Sequence, residues 1–247
     1  MTKFAAIALF IIISVSAAAQ NTEPTTPPAT PKAEYKRPDI PGTFVLELGV
    51  NSALNAPSDF SLGLWGSRTV NIYYQYPIRI MNTKFSIVPG FGLSLERFKF
   101  KSNRVLGYDL DTLSLLATDQ SGIAGVKKSH LVTNYFEIPL ELRFSTSPED
   151  ASRGFKLAVG GRIGYLYDAF SKVKYKVDGD TRKLKDKQDW NLTRFRYGVY
   201  GKIGFGNFNL FGYYNLTPLF EEGEGLYQGR VPTDFQTITM GISLSSF

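Results

Sequence analysis

Tyr135-Phe136-Glu137-Ile138-Pro139-Leu140-Glu141-Leu142-Arg143-Phe144 alternates from end to end. In an extended chain Phe136, Ile138, Leu140, Leu142 and Phe144 fall on one side, while Glu137, Pro139, Glu141 and Arg143 fall on the other. A helix would smear both sets around its circumference, so the stretch reads as a β-strand with one fatty and one charged face. The same period of two recurs around it. Val70 to Ile80 sets Val70, Ile72, Tyr74 and Tyr76 against Asn71, Tyr73, Gln75 and Arg79. Phe85 to Glu96 sets Phe91, Leu93 and Leu95 against Gly90, Gly92, Ser94 and Glu96. Further runs begin at Phe44, Phe155, Phe195, Phe208 and Ile238, giving eight in all and no sustained helical period.

Alternation alone does not say which way the fatty face looks, since a soluble lipocalin-like barrel would bury it and a membrane barrel would turn it to lipid. The other face decides. It carries the acids Glu47, Glu96, Glu137 and Glu141 and the bases Arg79, Arg143, Lys156, Arg162, Arg194, Arg196 and Lys202, interleaved with glycines. Both signs together suit a narrow polar lumen in which opposite charges pair and glycines make room. The connections alternate too: 52–66, 100–130, 169–192 and 218–234 are long, whereas 81–84 and 206–207 are short and 146–153 is intermediate. Long external loops and short periplasmic turns alternate in this way in outer-membrane barrels. Phe44, Phe85, Phe144, Phe155, Phe205 and Phe208 gather at the short-turn ends. Trp65, Tyr135, Tyr167, Phe170, Trp190, Phe220 and Phe235 gather at the long-loop ends, so the pattern predicts two aromatic girdles. The expectation is an all-β, eight-stranded, antiparallel, up-and-down transmembrane barrel over residues 43–247, in the outer membrane of a Gram-negative bacterium.

Ahead of it, Lys3, the apolar run Phe4 to Val15 and Ala17-Ala18-Ala19 read as a signal peptide over residues 1–19. Its dozen apolar residues fall short of the roughly 20 a spanning helix needs. Residues 20–42, with six prolines, read as a polar periplasmic tether.

The strand Tyr135–Phe144, the Pro89-Gly90-Phe91-Gly92-Leu93 turn of sequence, the Gly-rich fifth and sixth strands and the terminal Phe247 resemble the Bacteroidota outer-membrane β-barrel families, the PorT-like group among them. The resemblance spans the whole domain and marks architecture more than activity. It implies an envelope protein that binds a partner, lipid or glycan, or assists a secretion or assembly complex, with Phe247 resembling the signal read by the outer-membrane insertion machinery. Phe247 is out of step with Leu244, Ile242 and Met240, which predicts a bulge or a frayed end. Pro77, Pro89 and Pro139 each remove a ladder donor and also predict bulges.

Composition narrows the chemistry. The chain has 247 residues, no Cys and one His, so disulfide frameworks, thiolate metal sites, thiol nucleophiles and His-rich metal centres are excluded. Neither a cofactor nor a metal is expected. The net charge of +6 is mild, and with this compartment it disfavours nucleic acid. Glu221, Glu222 and Glu224 lack ordered ligand spacing for a divalent cation. His130, beside Ser129, is the one candidate for surface catalysis by acyl transfer or hydrolysis. Loop 169–192 carries Lys172, Lys174, Lys176, Arg182, Lys183, Lys185 and Lys187, diluted by four aspartates. It reads either as a solvated hairpin of mixed charge or as a seat for lipopolysaccharide phosphates. Eight strands enclose an interior that side chains fill, and Tyr73, Phe98, Tyr200, Phe211 and Tyr213 add bulk there, so a plugged lumen is expected over a small diffusion pore.

Overall fold

The computed structural model describes residues 42–245 apart from short stretches at 58–59, 64, 102–103, 110–111, 117–120, 150–152 and 229–230. All the described residues belong to the unit Ile40–Phe247. The signal peptide, nearly all of the tether and the terminal phenylalanine lie outside them.

The strands run in chain order as β1 (Thr43–Leu54), β2 (Arg68–Gln75), β3 (Ile78–Arg79), β4 (Phe85–Lys99), β5 (Val105–Asp109), β6 (Thr112–Leu116) and β7 (Val126–Ser145). They continue as β8 (Phe155–Val177), β9 (Asp180–Asp186), β10 (Phe195–Phe205), β11 (Phe208–Asn215), β12 (Leu226–Gln228), β13 (Val231–Thr233) and β14 (Gln236–Ser245). Strands β1, β2, β4, β7, β8, β10, β11 and β14 pair each with the next, all antiparallel, and β14 closes on β1. The ring is therefore an eight-stranded up-and-down barrel with no open edge in its wall. Carried once round the ring, the registers return to β1 about ten residues along, a stagger that inclines the strands by about 40°.

Side-chain parity agrees with the sequence. Phe136, Ile138, Leu140 and Leu142 are exposed, while Glu137 and Glu141 between them are fully buried. Apolar side chains exposed in rows and carboxylates buried in rows invert a soluble fold, and only lipid around the wall makes that arrangement favourable. From Phe144 to Phe136 the outward row climbs about 20 Å at the strand tilt, close to the apolar height of an outer-membrane barrel. Phe205 and Phe208, joined by the two-residue turn Gly206-Asn207 with Gly206 at φ 60°, mark the lower rim.

Three expectations are corrected. The prolines introduce no bulge: β2 and β3 keep one register against β4 across Pro77, and Pro139 sits opposite Arg162 in an unshifted ladder. Tyr76 donates to the Pro89 carbonyl at 2.9 Å, so that pair survives on one of its two bonds. The true shifts lie between Val126 and Lys128 and between Asn134 and Tyr135, the second leaving Tyr167 of β8 unpaired.

The upper girdle is also smaller than expected. Tyr165, Tyr167, Phe136 and Phe195 hold it, but Tyr135 points into the lumen, and Trp190, Phe220 and Phe235 are buried together. The reason is that the long connections fold inward. Phe60, Phe98, Phe100, Leu113, Leu131 and Leu192 join those three in an apolar cap over the upper end of the barrel.

Finally, β8 and β9 extend the wall well beyond the expected strand ends. Asp178-Gly179, at φ 49° and 85°, is a tight hairpin turn, so residues 171–186 are two paired strands.

Candidate functional site

The lumen is filled in two storeys. Below, Glu47 receives Arg162 at 2.8 Å and Lys202 at 3.0 Å, with Asn71 donating at 2.9 Å. Lys202 also reaches Glu141 at 3.2 Å, and Arg143 and the Tyr200 hydroxyl complete that carboxylate's shell. Arg196 bridges Glu96 at 2.9 Å and Glu137 at 2.6 Å, and Tyr73 donates to Glu137. The Arg162 guanidinium lies among the rings of Tyr73, Tyr200 and Tyr213, at 5.0, 4.3 and 4.9 Å, and Arg196 lies 3.6 Å from the centre of Tyr135. Such pairs repay their desolvation only when the geometry is close and further hydrogen bonds support the charges, as they do at Glu47, Glu137 and Glu141. Lumen glycines are a condition of this packing: a Cβ on Gly164 would stand 3.2 Å from Arg196 Nε and 3.3 Å from Glu137 Cγ.

Of the eleven charges assigned to the lumen from sequence, two stand elsewhere. Arg79 lies at the lower turn and pairs with Glu149. Arg194 precedes β10, faces solvent and pairs with Asp189 at 2.8 Å. The parity that places a residue inside holds only where the ladder runs, and both lie at its margins. Lys156, at the lower mouth, donates to the Gly206 carbonyl at 2.8 Å.

A second feature stands on the outer wall. On β4 the outward row reads Phe91, Leu93, Leu95 and then Arg97, Lys99; on β2 it reads Ile72, Val70 and then Arg68. On β7, Asn134, Val132, His130 and Lys128 continue the row above Phe136. The bulge at Tyr167 switches the parity of β8, so Phe170, Lys172 and Lys174 face outward above it while Ser171 and Val173 turn in. Together these rows wall a cleft of about 540 Å3, whose apolar sides are Val132, Phe170 and Trp65 and whose hairpin side includes Lys183.

The cleft is electrostatically expensive. Arg68 is directly opposite Arg97, Lys128 opposite Lys174, Lys172 opposite Lys185 and Lys174 opposite Lys183. Like charges facing across strands destabilise a sheet by roughly 0.2–1 kcal/mol per pair. Among the described residues that line it there is no carboxylate. Arg68 and Arg97 are held instead by backbone, donating to the carbonyls of Trp65 and Gly66 at 2.9 and 3.1 Å.

The seven bases of the hairpin divide. Lys172, Lys174 and Lys183 enter the cleft, Lys185 lies 3.8 Å from the centre of the Phe170 ring, and Lys187 pairs with Asp168 at 2.6 Å. Lys176 and Arg182 stand opposite each other's neighbours at the hairpin tip. Arg68, Arg97, Lys99 and Lys128 escaped the sequence reading, although tracing each outward row past its last apolar residue would have found them.

His130 is half-buried on the cleft wall, where β7 stands clear of the apolar belt. Burial first, then the charges of Arg97, Lys99 and Lys128, lower its pKa to about 4, against a hydrogen bond with the Lys172 backbone that favours the cation. Ser129 points into the interior and His130 outward, so the two cannot form a nucleophile and base pair. Glu221, Glu222 and Glu224 are exposed, and Glu224 accepts from Asn191 at 3.3 Å.

No curated protein matches the chain. Two solved structures of Ail, the attachment invasion locus protein of Yersinia pestis, one in complex with the heparin analogue sucrose octasulfate, are similar at 12% identity. Each covers 83% of this chain and 99% of its own, with TM-scores of 0.34 and 0.31. Residues 33–221 match the family model for the outer membrane protein beta-barrel domain, well over half of the chain. With a closed antiparallel ring whose apolar rows face outward, this match means that the chain belongs to the outer membrane protein beta-barrel domain family and resides in the outer membrane.

Proposed function

We propose that this protein is an interaction protein of the cell envelope, working through its outer face and external end rather than by passing solutes or by catalysis. The observation that carries the reading is the doubly closed lumen, with a salt-bridged storey inside the wall and an aromatic cap above it. A water-filled path would require both to open. Catalysis at His130 finds little support, because the residue that would serve as its nucleophile faces the other way and no acid among the described lining residues stands in the cleft to orient it. Outer-membrane lipid, lipopolysaccharide and envelope proteins are the partners this surface suits. Within the family, the Tyr135–Phe144 strand favours the PorT-like group of the Bacteroidota, and with it a secretion or assembly role. Residues 1–19 and 20–42 are the export signal and periplasmic tether of this reading.

The test is conductance. Full-length protein refolded into planar bilayers is expected to give no sustained current steps at 100 mV-scale potentials. Regular unitary steps from wild-type protein would overturn the interaction reading in favour of a pore. No hydrolytic activity is expected of the wild-type protein; a hydrolysis that His130→Ala abolishes would instead favour an enzyme.

A further inference from the structure

We propose that the outward cleft is a binding site for the phosphorylated headgroup of an outer-leaflet glycolipid. It deepens the interaction reading, and rests on it only in placing the working surface outside.

Three independent observations converge. The first is level. Arg97 is one pleat above Leu95, and Arg68 one pleat above Val70, so the lowest cations stand where the apolar wall ends. Lys99, Lys128, Lys172 and Lys174 continue upward from there. A phosphate attached to an acylated sugar arrives at that height with its chains already against Leu95, Phe136 and Ile72. A soluble anion gains nothing from that coincidence.

The second is the register itself. Three pairs of lining bases, Arg68–Arg97, Lys128–Lys174 and Lys174–Lys183, face one another across neighbouring strands with no carboxylate among the described lining residues. A ligand with two or more phosphates would convert that mutual repulsion into charge-assisted hydrogen bonds, several of them from guanidinium groups suited to phosphate. The bases sit on paired strands rather than on a loose loop, and the backbone carbonyls of Trp65 and Gly66 fix both guanidinium groups before any ligand arrives.

The third is asymmetry. On the other side of the barrel the outward rows end differently: β1 in Leu54, β11 in Leu216 and β14 in Gln236. On the β8–β10 side the bases are already neutralised, Lys187 by Asp168 and Arg194 by Asp189. Among the described residues of the wall, the outward cations that face one another thus gather in one cleft, whose apolar sides Val132, Phe170 and the largely exposed Trp65 suit the faces of a sugar.

The experiment measures binding of lipid A to the full chain in neutral detergent, using bisphosphorylated, monophosphorylated and dephosphorylated forms. Native mass spectrometry and equilibrium titration supply the readout. Wild-type protein is expected to prefer the bisphosphorylated lipid to the dephosphorylated one by at least about tenfold, with the preference shrinking as salt is raised. The double variants R97Q/K99Q and K172Q/K174Q are each expected to lose about tenfold. K176Q/R182Q, at the hairpin tip, is expected to bind as wild type does. The lipid comparison on wild-type protein needs no variant, so a folding defect in either double variant leaves the inference exposed to refutation.

Equal retention of the dephosphorylated lipid would overturn it. So would an equal loss in the tip variant, which would mean general charge attraction, or displacement of the lipid by an equimolar soluble sulfated oligosaccharide, which would mean a soluble polyanion as the partner. None of these outcomes touches the conductance result, so failure here and failure of the interaction reading are separable.

Discussion

Arg194 and Arg196 are two residues apart on the same parity and have opposite fates. Arg196 lies within the ladder of β10, buried between Glu96 and Glu137, and Arg194 lies one residue before that ladder, in water with Asp189. Arg196→Met is expected to strand two buried carboxylates and destabilise the barrel by about 3–5 kcal/mol. Arg194→Met should leave stability unchanged within error; urea titration in lipid vesicles compares the two. Equal midpoints would mean that water reaches the lumen charges. His130 offers a second test at this scale, because it is the chain's single histidine and its NMR signal needs no assignment. Its folded pKa of about 4 lies below the ordinary 6.5, so the folded state favours the neutral ring. That contribution to stability is complete above pH 6.5 and is lost as pH falls towards 4, where the unfolded chain takes up a proton that the folded one refuses. Saturation with a phosphorylated ligand would neutralise Arg97, Lys99, Lys128 and Lys172 around the ring and is expected to raise its pKa. A titration midpoint that stays put with ligand bound would separate the histidine from the cleft.

At the scale of the element, the decisive feature is the bulge at Tyr167. Without it, Ser171 and Val173 would look outward and Lys172 and Lys174 would enter the interior. Deleting Tyr167 to regularise β8 is therefore expected to abolish folding or throw the hairpin out of register, read as loss of the heat-dependent gel migration of the folded barrel. This device was only half legible in the sequence. Period two announced every barrel strand because the lipid and the lumen impose opposite chemistry on alternate residues, and that contrast is strong wherever the ladder is regular. The phase change between Tyr167 and Phe170, and the Asp178-Gly179 turn beyond it, were both written in the chain. They read as a loop because lysines carry no parity signal once lipid no longer faces them. The prolines misled in the other direction: a missing donor at Pro89 is met by the ragged end of β2, so the ladder loses a bond and keeps its register. The aromatic residues of the long connections misled as well. Sequence position put Trp190, Phe220 and Phe235 at the height of the upper interface, but only tertiary packing reveals that they turn inward to one another.

For the molecule as a whole, the two storeys of the lumen divide the work of closing it. The cap is apolar, built from connections that bury Phe60 against Phe235 at 4.5 Å and Phe220 against Phe235 at 5.7 Å between ring centres. The storey beneath is ionic and belongs to the strands themselves. Damage to one should therefore leave the other standing. Phe60→Ala with Phe235→Ala removes two rings from the cap, and each such truncation costs about 3–5 kcal/mol where the site cannot collapse. The barrel wall does not depend on those rings, so the loss is expected to appear as protease sensitivity of the external connections, with the wall itself still resistant. Conductance should stay absent, because Arg162, Arg196 and Lys202 remain locked to their carboxylates below. Sustained current from this cap variant would show that the aromatic storey alone holds the barrel shut, and that the ion pairs beneath it leave a path for water.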